Sequence, residues 1–493
     1  MRVLLQRSLL QTVRSFQGRV LSRSYSILPA ASVLRMLDGN SVIYTNNALT
    51  SESSKAKEIH VASFPANAPI EDAFSVNRIE FVKSSCGSSD QKDNKTLPFN
   101  MFSVYDGHWA PHCSNALSQI LPVFVQDTIS DPNPSFYAPV SDAISPPSNT
   151  KSELPQKLSS AFIHCDASLL SYPFSLVPES FFDTPNDKIH DLLDKDVKQQ
   201  VSSALLPAVT GSCAIAAVLR GDELVVANTG DCRAVLGSES TTPGASFIAK
   251  DLSKDHNGEN ASEVARLRSE HPSSEKDTVI FVNPGDRSKT MRVLGGLMPT
   301  RSFGDAKYKW PLDVIEKVDI LEPGIKRAIP MQKDCKTPPY ITAAPEISEH
   351  TLTPQDRFLV IATDGLFDEL SSKQAVSVVS SLLQSKNNKS STTTKTPFPP
   401  WLPETEQLAS HLLPTPVTKT VDNQGNIADD YKGVNLATSL VRAAMVGGGG
   451  RVAGRRDAAG MMNLAEEAEI RAGVEPGEAR SVRDDITCIV VVF

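Results

Sequence analysis

The chain has 493 residues, enough for one large domain or two of ordinary size, and its 40% apolar and 22% charged residues are typical of a soluble globular protein. Its formal net charge of −8 gives no electrostatic basis for nucleic-acid binding, and no window approaches the run of about 18 apolar residues that a membrane span requires. The seven cysteines are scattered and lack a C-x-x-C pair, which argues against a disulfide framework or a zinc site and favours a reducing compartment.

The N-terminal segment is basic and amphipathic. Residues 1–37 contain no aspartate or glutamate, and a stripe of apolar residues that begins at Leu5 lies opposite Arg7 and Arg14 on a helix. This composition is typical of a mitochondrial transit peptide, and the run Arg-Ser-Tyr-Ser predicts cleavage after Tyr25. We therefore predict a transit peptide at residues 1–25 and location in the mitochondrial matrix; a disordered basic tail is the alternative.

Acidic residues recur where predicted strands begin or end. A single Asp-Gly pair such as Asp106-Gly107 is more often a turn than a site, because aspartate bonds its own backbone and glycine tolerates positive φ. Here, however, five strand termini carry acids, which is harder to explain by turns alone. In chain order these are Glu71 and Asp72 in "PIEDAFSV", Asp106 in "FSVYDGH", Asp231 in "VVANTGD", Asp364 in "FLVIATDG", and Asp484 and Asp485 in "RDDITCIVVVF".

The remaining elements indicate an α+β domain. Short spacers between successive apolar runs favour antiparallel hairpins over crossover helices, so we predict an antiparallel β core with helices packed outside it. Pro-, Ser- and Asp-rich residues 171–200 are predicted to form loops, residues 385–432 a surface insertion, and residues 446–460 a flexible tract. The predicted helices are 111–127, 155–170, 259–270, 371–384 and 433–445.

The acids suggest a metal site. Carboxylates gathered at one edge of a β core repel one another unless a cation is present, and a set of oxygen ligands suits Mg²⁺ or Mn²⁺ rather than zinc. Two such ions about 3.5–4 Å apart can generate a hydroxide and clamp a phosphoryl group. His108, next to Asp106, would then protonate the leaving alkoxide. The alternative is a histidine that only holds a metal ligand in place.

The ordered motifs "PIEDAFSV", "VYDGHWA", "TGSCAIAAVLRGDELVVANTGDCRAVLG", "RSFGDAKYKW", "FLVIATDGLFDEL" and "RDDITCIVVVF" resemble those of the metal-dependent protein phosphatases of the 2C type. The runs "LSKDHNGENASEVARLRSEHP" and "PPYITAAPEI" are similar to the mitochondrial pyruvate dehydrogenase phosphatase branch of that family. The resemblance implies an antiparallel β-sandwich flanked by helices, in four αββα layers. It covers roughly residues 60–493 outside the insertion at 385–432, after a variable N-terminal segment at 26–59.

The resemblance also implies a site for two Mg²⁺ or Mn²⁺ ions, with a weaker third ion in some family members. On this basis Asp106 bridges two ions, the Gly107 carbonyl binds one, and His108 is the general acid, while Asp305 is read as structural more than catalytic. The remaining residues matched to the family site are Asp364 and Asp484 as metal ligands, Glu71 and Asp72 as holders of metal-bound waters, and Asp231 and Asp368 for the third ion.

Two positions depart from the family pattern. Trp109 and Ala110 follow His108 where many members carry small residues, so a bulky side chain could crowd the rim of the site. Position 67 is asparagine, where typical members carry an arginine that holds substrate phosphate. The branch looks similar at that position, which supports the branch assignment and leaves open which group binds the phosphate.

The resemblance implies a serine/threonine phosphatase that acts on phosphoserine or phosphothreonine of a matrix protein, with the E1 alpha subunit of the pyruvate dehydrogenase complex as the expected substrate. Two alternatives remain open. One is the same chemistry on another mitochondrial phosphoprotein, and the other is a catalytically inactive 2C-like scaffold. Scaffolds of this kind usually lack a metal carboxylate, whereas every expected acid is present here. Binding of a regulatory subunit is left open.

Overall fold

The structure is a computed structural model that describes residues 40–45, 55–79, 98–130, 153–242, 247–284, 289–321, 335–387, 418–421, 427–431, 435–447 and 484–493. The predicted transit peptide at 1–25, most of the predicted insertion at 385–432 and residues 448–460 of the predicted flexible tract lie outside these ranges. No helix within them is long and apolar enough to cross a membrane.

A six-stranded sheet carries the first acidic motifs. Its strands lie in the order β12-β6-β5-β4-β3, and the short β11 pairs with β5. Strands β4 and β5 are antiparallel, with Phe102 opposite Ala217 and Asp106 opposite Cys213. The bounds are β3 Ala73–Ile79, β4 Phe99–His108, β5 Gly211–Arg220, β6 Glu223–Thr229, β11 Phe303–Gly304 and β12 Glu346–Thr351.

An eight-stranded sheet faces the first, with strand order β15-β14-β1-β2-β16-β13-β7-β8. The C-terminal strand β16 lies at its centre, where Cys488 is opposite Ala62 on one side and Ala362 on the other. Its pairs are antiparallel except β1 with β14. The bounds are β1 Ser41–Thr45, β2 Glu58–Phe64, β7 Arg233–Ser238, β8 Ile248–Asp251, β13 Asp356–Ala362, β14 Thr418–Val421, β15 Ile427–Tyr431 and β16 Ile486–Val492.

The two sheets pack face to face, and the central strands are buried on both sides. Phe102 and Val104 of β4 contact the core between the sheets, whereas Met101 and Tyr105 contact the helices outside. This is why the central strands are apolar at nearly every position instead of alternating with polar residues. The predicted α+β fold class, a β-sandwich flanked by helices, is confirmed.

Helices cover both outer faces of the sandwich. Against the six-stranded sheet lie α1 His112–Ser130, α2 Leu154–Ser171, α4 Lys195–Val209 and α6 Leu312–Leu321. Against the eight-stranded sheet lie α8 Ser372–Asn387 and α9 Leu436–Gly447. The short helices α3 Ile189–Leu192 and α7 Asp364–Phe367 are single turns. Apart from small shifts at their ends, the helices predicted at 111–127, 155–170, 371–384 and 433–445 are confirmed as α1, α2, α8 and α9.

Some local predictions are wrong. Residues 195–200, predicted as loop, begin α4, which Asp194 caps by accepting a 2.9 Å hydrogen bond from the Val197 amide. The prediction failed because the first turns of α4 are polar and its buried stripe, which includes Val201 and Leu205, begins only later in the helix. Within the predicted insertion at 385–432, α8 runs to Asn387 and two short strands, β14 and β15, extend the larger sheet.

A small lobe with its own apolar cluster lies between β8 and β12; it is formed by described residues 256–284, 289–308 and 335–342 and is called the 256–342 lobe. It contains α5 Ala261–Glu270, the predicted helix at 259–270, and a two-stranded sheet of β9 Ile280–Val282 and β10 Met291–Val293. Buried Glu263 fixes α5 to the rest of the lobe. It accepts hydrogen bonds of 2.6 Å from Arg301 and 2.8 Å from Arg266. Asp305 of this lobe contacts His108, next to the acidic motifs.

Candidate active site

Residues Asp106, Gly107 and His108 are the last three residues of β4 and not a turn that follows it. Strand β5 pairs with them to the end, so that His108 lies opposite Gly211. A Cβ atom on Gly107 would clash with the Glu71 carbonyl oxygen, so only glycine fits at this point. The Asp106 motif and the Glu71–Asp72 motif are therefore in direct contact.

Three carboxylates converge at the ends of β4, β6 and β13. Asp106, Asp231 and Asp364 each place one oxygen so that all three atoms lie within 4.8 Å of one another. Burial, followed by the nearby Asp364 charge, raises the pKa of Asp231 to about 7. Because hard cations prefer oxygen ligands and relieve such repulsion, these residues fit a divalent ion such as Mg²⁺ or Mn²⁺.

The backbone before Asp231 is shaped to hold this carboxylate. Gly230 has a φ of +109°, which favours glycine, and a Cβ atom there would clash with Cys213. Its amide donates to His256 Nδ1 at 3.2 Å. The Cys213 thiol, on the neighbouring strand, donates to Asp231 Oδ1 at 3.1 Å. These contacts fix the direction from which Asp231 enters the cluster.

Asp72 lies beside Asp364. The residue is 6% exposed, and its carboxylate accepts a 3.0 Å hydrogen bond from the hydroxyl of Thr363, the residue before Asp364. Burial, followed by the charge of Asp485, raises the pKa of Asp72 well above its usual range. Asp72 is thus a further buried acid at the edge of the three-carboxylate group, where a cation would be stabilised.

Asp485 organises the loop that carries Glu71. Its Oδ1 accepts the amides of Ala66 and Asn67, the latter at 2.8 Å, and its Oδ2 accepts the Glu71 amide at 2.8 Å and Asn67 Nδ2 at 2.9 Å. Asn67 Nδ2 also donates to the Glu71 carboxylate at 3.1 Å. The side chain of Asn67 is therefore engaged by two acids. Sequence reasoning placed only Asp484 of the Asp-Asp pair in the site and missed the part that Asp485 plays.

Asp484 and Asp368 lie outside the three-carboxylate group but close to Asp364. Asp484 packs near Gly365, and its Oδ1 accepts the Asp485 amide at 2.8 Å. Asp368 follows one turn after Asp364, and its amide donates to the Asp364 carbonyl at 2.7 Å. Glu71 also lies outside the group. Of the two acids matched to a weaker third ion, the structure thus places Asp231, and not Asp368, with Asp106 and Asp364.

His108 is paired with an acid from the 256–342 lobe. Its Nε2 lies 2.7 Å from Asp305 Oδ2, which also accepts from the Ser302 hydroxyl at 2.6 Å. Asp305 is 1% exposed and has a left-handed φ of 52°. Burial alone would lower the pKa of His108, but Asp305, with help from Asp231 and Glu71, outweighs it and raises the pKa. Asp305 therefore favours the protonated imidazole.

Comparison with known proteins identifies the family. The family model for protein phosphatase 2C matches residues 174–397, a segment that contains Asp231, Asp305 and Asp364. A protein phosphatase 2C homolog of Schizosaccharomyces pombe is 33% identical over 351 residues, which cover 69% of this chain and 66% of that protein. The chain belongs to the protein phosphatase 2C family.

Other relatives are named as pyruvate dehydrogenase phosphatases. A mitochondrial [pyruvate dehydrogenase [acetyl-transferring]]-phosphatase 1 of Bos taurus is 35% identical over 294 residues, which cover 58% of this chain and 48% of the bovine protein. The protein of the same name in Saccharomyces cerevisiae is 28% identical over 452 residues, which cover 88% of this chain and 68% of that protein. The chain thus spans about half the length of the bovine relative.

Proposed function

We propose that this protein is a metal-dependent protein serine/threonine phosphatase. The observation that carries the proposal is the convergence of Asp106, Asp231 and Asp364 beside the paired His108 and Asp305, in a chain of the protein phosphatase 2C family. Hydrolysis of a phosphate monoester needs stabilisation of phosphoryl charge and a proton for the leaving oxygen. Clustered carboxylates that fit cations, and an imidazole next to them, supply these two requirements.

The acids are proposed to hold two Mg²⁺ or Mn²⁺ ions. When bound, such ions would neutralise charge on the phosphoryl group and lower the pKa of water. Asp106 is proposed as the bridging ligand from the family resemblance, and one of its oxygens lies within 4.8 Å of an oxygen of both Asp231 and Asp364. The further proposed ligands and water-orienting residues are the Gly107 carbonyl, Asp364, Asp484, Glu71, Asp72 and Asp231, with Asp368 at a weaker outer position.

His108 is proposed to protonate the leaving serine or threonine oxygen. Its Nε2 is held by Asp305 at 2.7 Å, so Nδ1 is the atom assigned to the proton transfer. Asp305, bonded by Ser302, would keep the ring in one orientation during the reaction. The sequence suggested a mainly structural role for Asp305, whereas here it is proposed to orient the imidazole for proton transfer.

The proposed substrate is the E1 alpha subunit of the pyruvate dehydrogenase complex in the mitochondrial matrix. The basic, acid-free residues 1–37 and the names of the bovine and budding-yeast relatives support this. The broader name of the fission-yeast relative supports the alternative of another phosphoprotein substrate. Phosphoproteomics of mitochondria from a deletion strain decides between them, because an unchanged E1 alpha phosphosite would reject the pyruvate dehydrogenase assignment.

The chemistry is tested with the purified chain. We expect hydrolysis of p-nitrophenyl phosphate with Mn²⁺ or Mg²⁺, complete inhibition by EDTA, and loss of activity in Asp364→Asn. Asp277→Asn, at an exposed acid away from the cluster, is the matched control and should retain activity. Absence of hydrolysis with either metal would favour the inactive scaffold, and full activity in Asp364→Asn would reject the proposed site.

A further inference from the structure

A lysine and a tryptophan are stacked next to the proposed general acid. Lys307 Nζ lies 5.4 Å from the ring centroid of Trp109 and 4.8 Å from that of Tyr308. Trp109 directly follows His108, and Lys307 follows two residues after Asp305, whose carboxylate contacts His108. The contact between His108 and Asp305 therefore also fixes the position of the Trp109–Lys307 pair.

The ammonium of Lys307 has its hydrogen-bond donors available. Within the part of the chain that the structure describes, it makes no ion pair; it lies over the faces of the two rings, with Asp305 near enough to act on its charge. Lys309, two residues on, differs, because it is paired with buried Asp166 at 2.6 Å. Burial lowers the pKa of Lys307 to about 8, so a charged but partly dehydrated ammonium is present at neutral pH. Such a group gains stability from an anion.

Trp109 is held in an unusual and exposed conformation. Its φ is +70°, a left-handed value that costs energy for a bulky residue, and 52% of its surface is exposed. The side chain therefore contributes little to the apolar core. Strained backbone of this kind is typical of ligand-binding positions, and its visible consequence here is that the indole covers Lys307 beside His108.

The charge balance of the site calls for a cation of this kind. A phosphate monoester carries about two negative charges near neutral pH and must approach many carboxylates. Position 67 does not supply a positive charge, because it is asparagine and its amide already donates to Glu71 and Asp485. Lysine binds phosphate as a point charge, and an ammonium beside the proton donor would offset this repulsion.

We propose that Lys307, covered by Trp109, binds an anionic group of the phosphoprotein substrate, with the phosphate itself as the assigned group. This rests on the proposed phosphatase function and adds a substrate-binding residue to it. A carboxylate next to the phosphorylated residue offers the same chemistry, so the test must separate the two sources.

The test compares Lys307→Met and Lys307→Arg with the wild-type chain. Methionine keeps the packing on both rings and removes the charge, whereas arginine keeps the charge. We expect Lys307→Met to raise KM for p-nitrophenyl phosphate by about tenfold with kcat within about twofold, and Lys307→Arg, which keeps the charge but changes its geometry, to give a KM between those of Lys307→Met and wild type. Lys276→Met, at an exposed lysine of the same lobe, is the matched control and should change neither constant.

Two phosphothreonine peptides, one with neutral and one with acidic flanking residues, locate the anion. A rise in KM for p-nitrophenyl phosphate and both peptides identifies the phosphate. A rise for the acidic peptide alone keeps the anion-binding site but reassigns it to the flanking carboxylate. Unchanged KM for all three substrates in Lys307→Met overturns the proposal.

A binding measurement separates this proposal from the phosphatase function. Inorganic phosphate is titrated into the Mn²⁺-loaded protein while tryptophan fluorescence is recorded, and Trp109→Phe assigns the signal to Trp109. We expect a saturable change in wild type that weakens about tenfold in Lys307→Met. If wild type hydrolyses nothing but still binds phosphate through Lys307, the proposed function fails and the anion site stands. If phosphate binds wild type and Lys307→Met equally, the anion site is rejected.

Discussion

Asp305 holds the His108 imidazole at the centre of the proposed chemistry. The 2.7 Å contact joins residues that are 197 positions apart, and Ser302 donates a second hydrogen bond to the same carboxylate oxygen. The orientation of the ring thus depends on the 256–342 lobe and not only on the strand that carries His108. A positioning residue of this kind should affect proton donation more than phosphate binding.

Substitution Asp305→Asn tests this. We expect kcat for a phosphothreonine peptide to fall by about 100-fold, because an alkoxide leaving group needs the proton. For p-nitrophenyl phosphate, whose leaving group is stable without a proton, we expect a fall below about tenfold. The two substrates are measured on the same preparation, with Asp277→Asn as control. An equal loss on both would show that Asp305 only maintains the structure.

At the scale of elements, the side chain of Asp485, the residue before β16, holds the loop 66–71 in place. Buried Asp485 accepts hydrogen bonds from the amides of Ala66, Asn67 and Glu71 and from the Asn67 side chain. The loop positions the Glu71 carbonyl against Gly107 and places Asp72 beside Thr363. A change at Asp485 should therefore reach the metal site through the loop.

For Asp485→Asn we expect a loss of about 2–3 kcal/mol in the free energy of unfolding, since an amide cannot accept all of these hydrogen bonds. We also expect weaker Mn²⁺ binding, because Glu71 and Asp72 lose their support. Urea unfolding and Mn²⁺ titration measure the two effects. Unchanged stability together with unchanged Mn²⁺ affinity would contradict the assigned function of this loop.

The anchoring of α5 predicts a pH dependence of stability. Burial alone would raise the pKa of Glu263, but hydrogen bonds from Arg301 and Arg266 outweigh it and hold the pKa well below its usual range. The unfolded carboxyl titrates at about pH 4.3, so the stabilisation is fully present above that pH and is lost progressively between it and the lower folded pKa.

Substitution Glu263→Gln should lower the free energy of unfolding by about 3–5 kcal/mol at pH 7, because it leaves two arginines without their buried partner. Below about pH 4 the difference between wild type and variant should shrink, because the unfolded wild-type chain takes up a proton at Glu263 that the folded chain does not. Chemical unfolding between about pH 3.5 and 7 measures this. A difference that stays constant over that range would contradict the lowered pKa.

Local sequence patterns predicted most of the helices and strands but few of the contacts between them. The helix predicted at 259–270 is confirmed as α5, and Asn260 caps it by accepting from the Ser262 amide. Helix α4 was missed because its first turns are polar and its buried stripe begins late. The acids at strand ends could be recognised in the sequence. The contact of Asp485 with Glu71 spans 414 positions and that of Asp305 with His108 spans 197, and no local pattern contains such contacts.

At the scale of the whole molecule, the candidate site joins the two sheets. Asp106 and Asp231 end strands of the six-stranded sheet, whereas Asp364 follows β13 and Asp484 precedes β16 of the eight-stranded sheet. Repulsion among these charges acts across the sandwich, and a bound cation would turn it into attraction. The stability of the entire fold should therefore depend on the metal.

The central claim is that the converging carboxylates are a divalent cation site, and thermal unfolding with and without Mn²⁺ tests it most directly. For wild type we expect Mn²⁺ at about 100 times its Kd to add about 2.7 kcal/mol of stability, seen as a rise of several degrees in Tm. Asp231→Asn should unfold at or above the wild-type Tm without metal at about pH 8, because it removes a buried charge, and should gain little from Mn²⁺. An equal Mn²⁺-induced rise in wild type and Asp231→Asn would contradict the account.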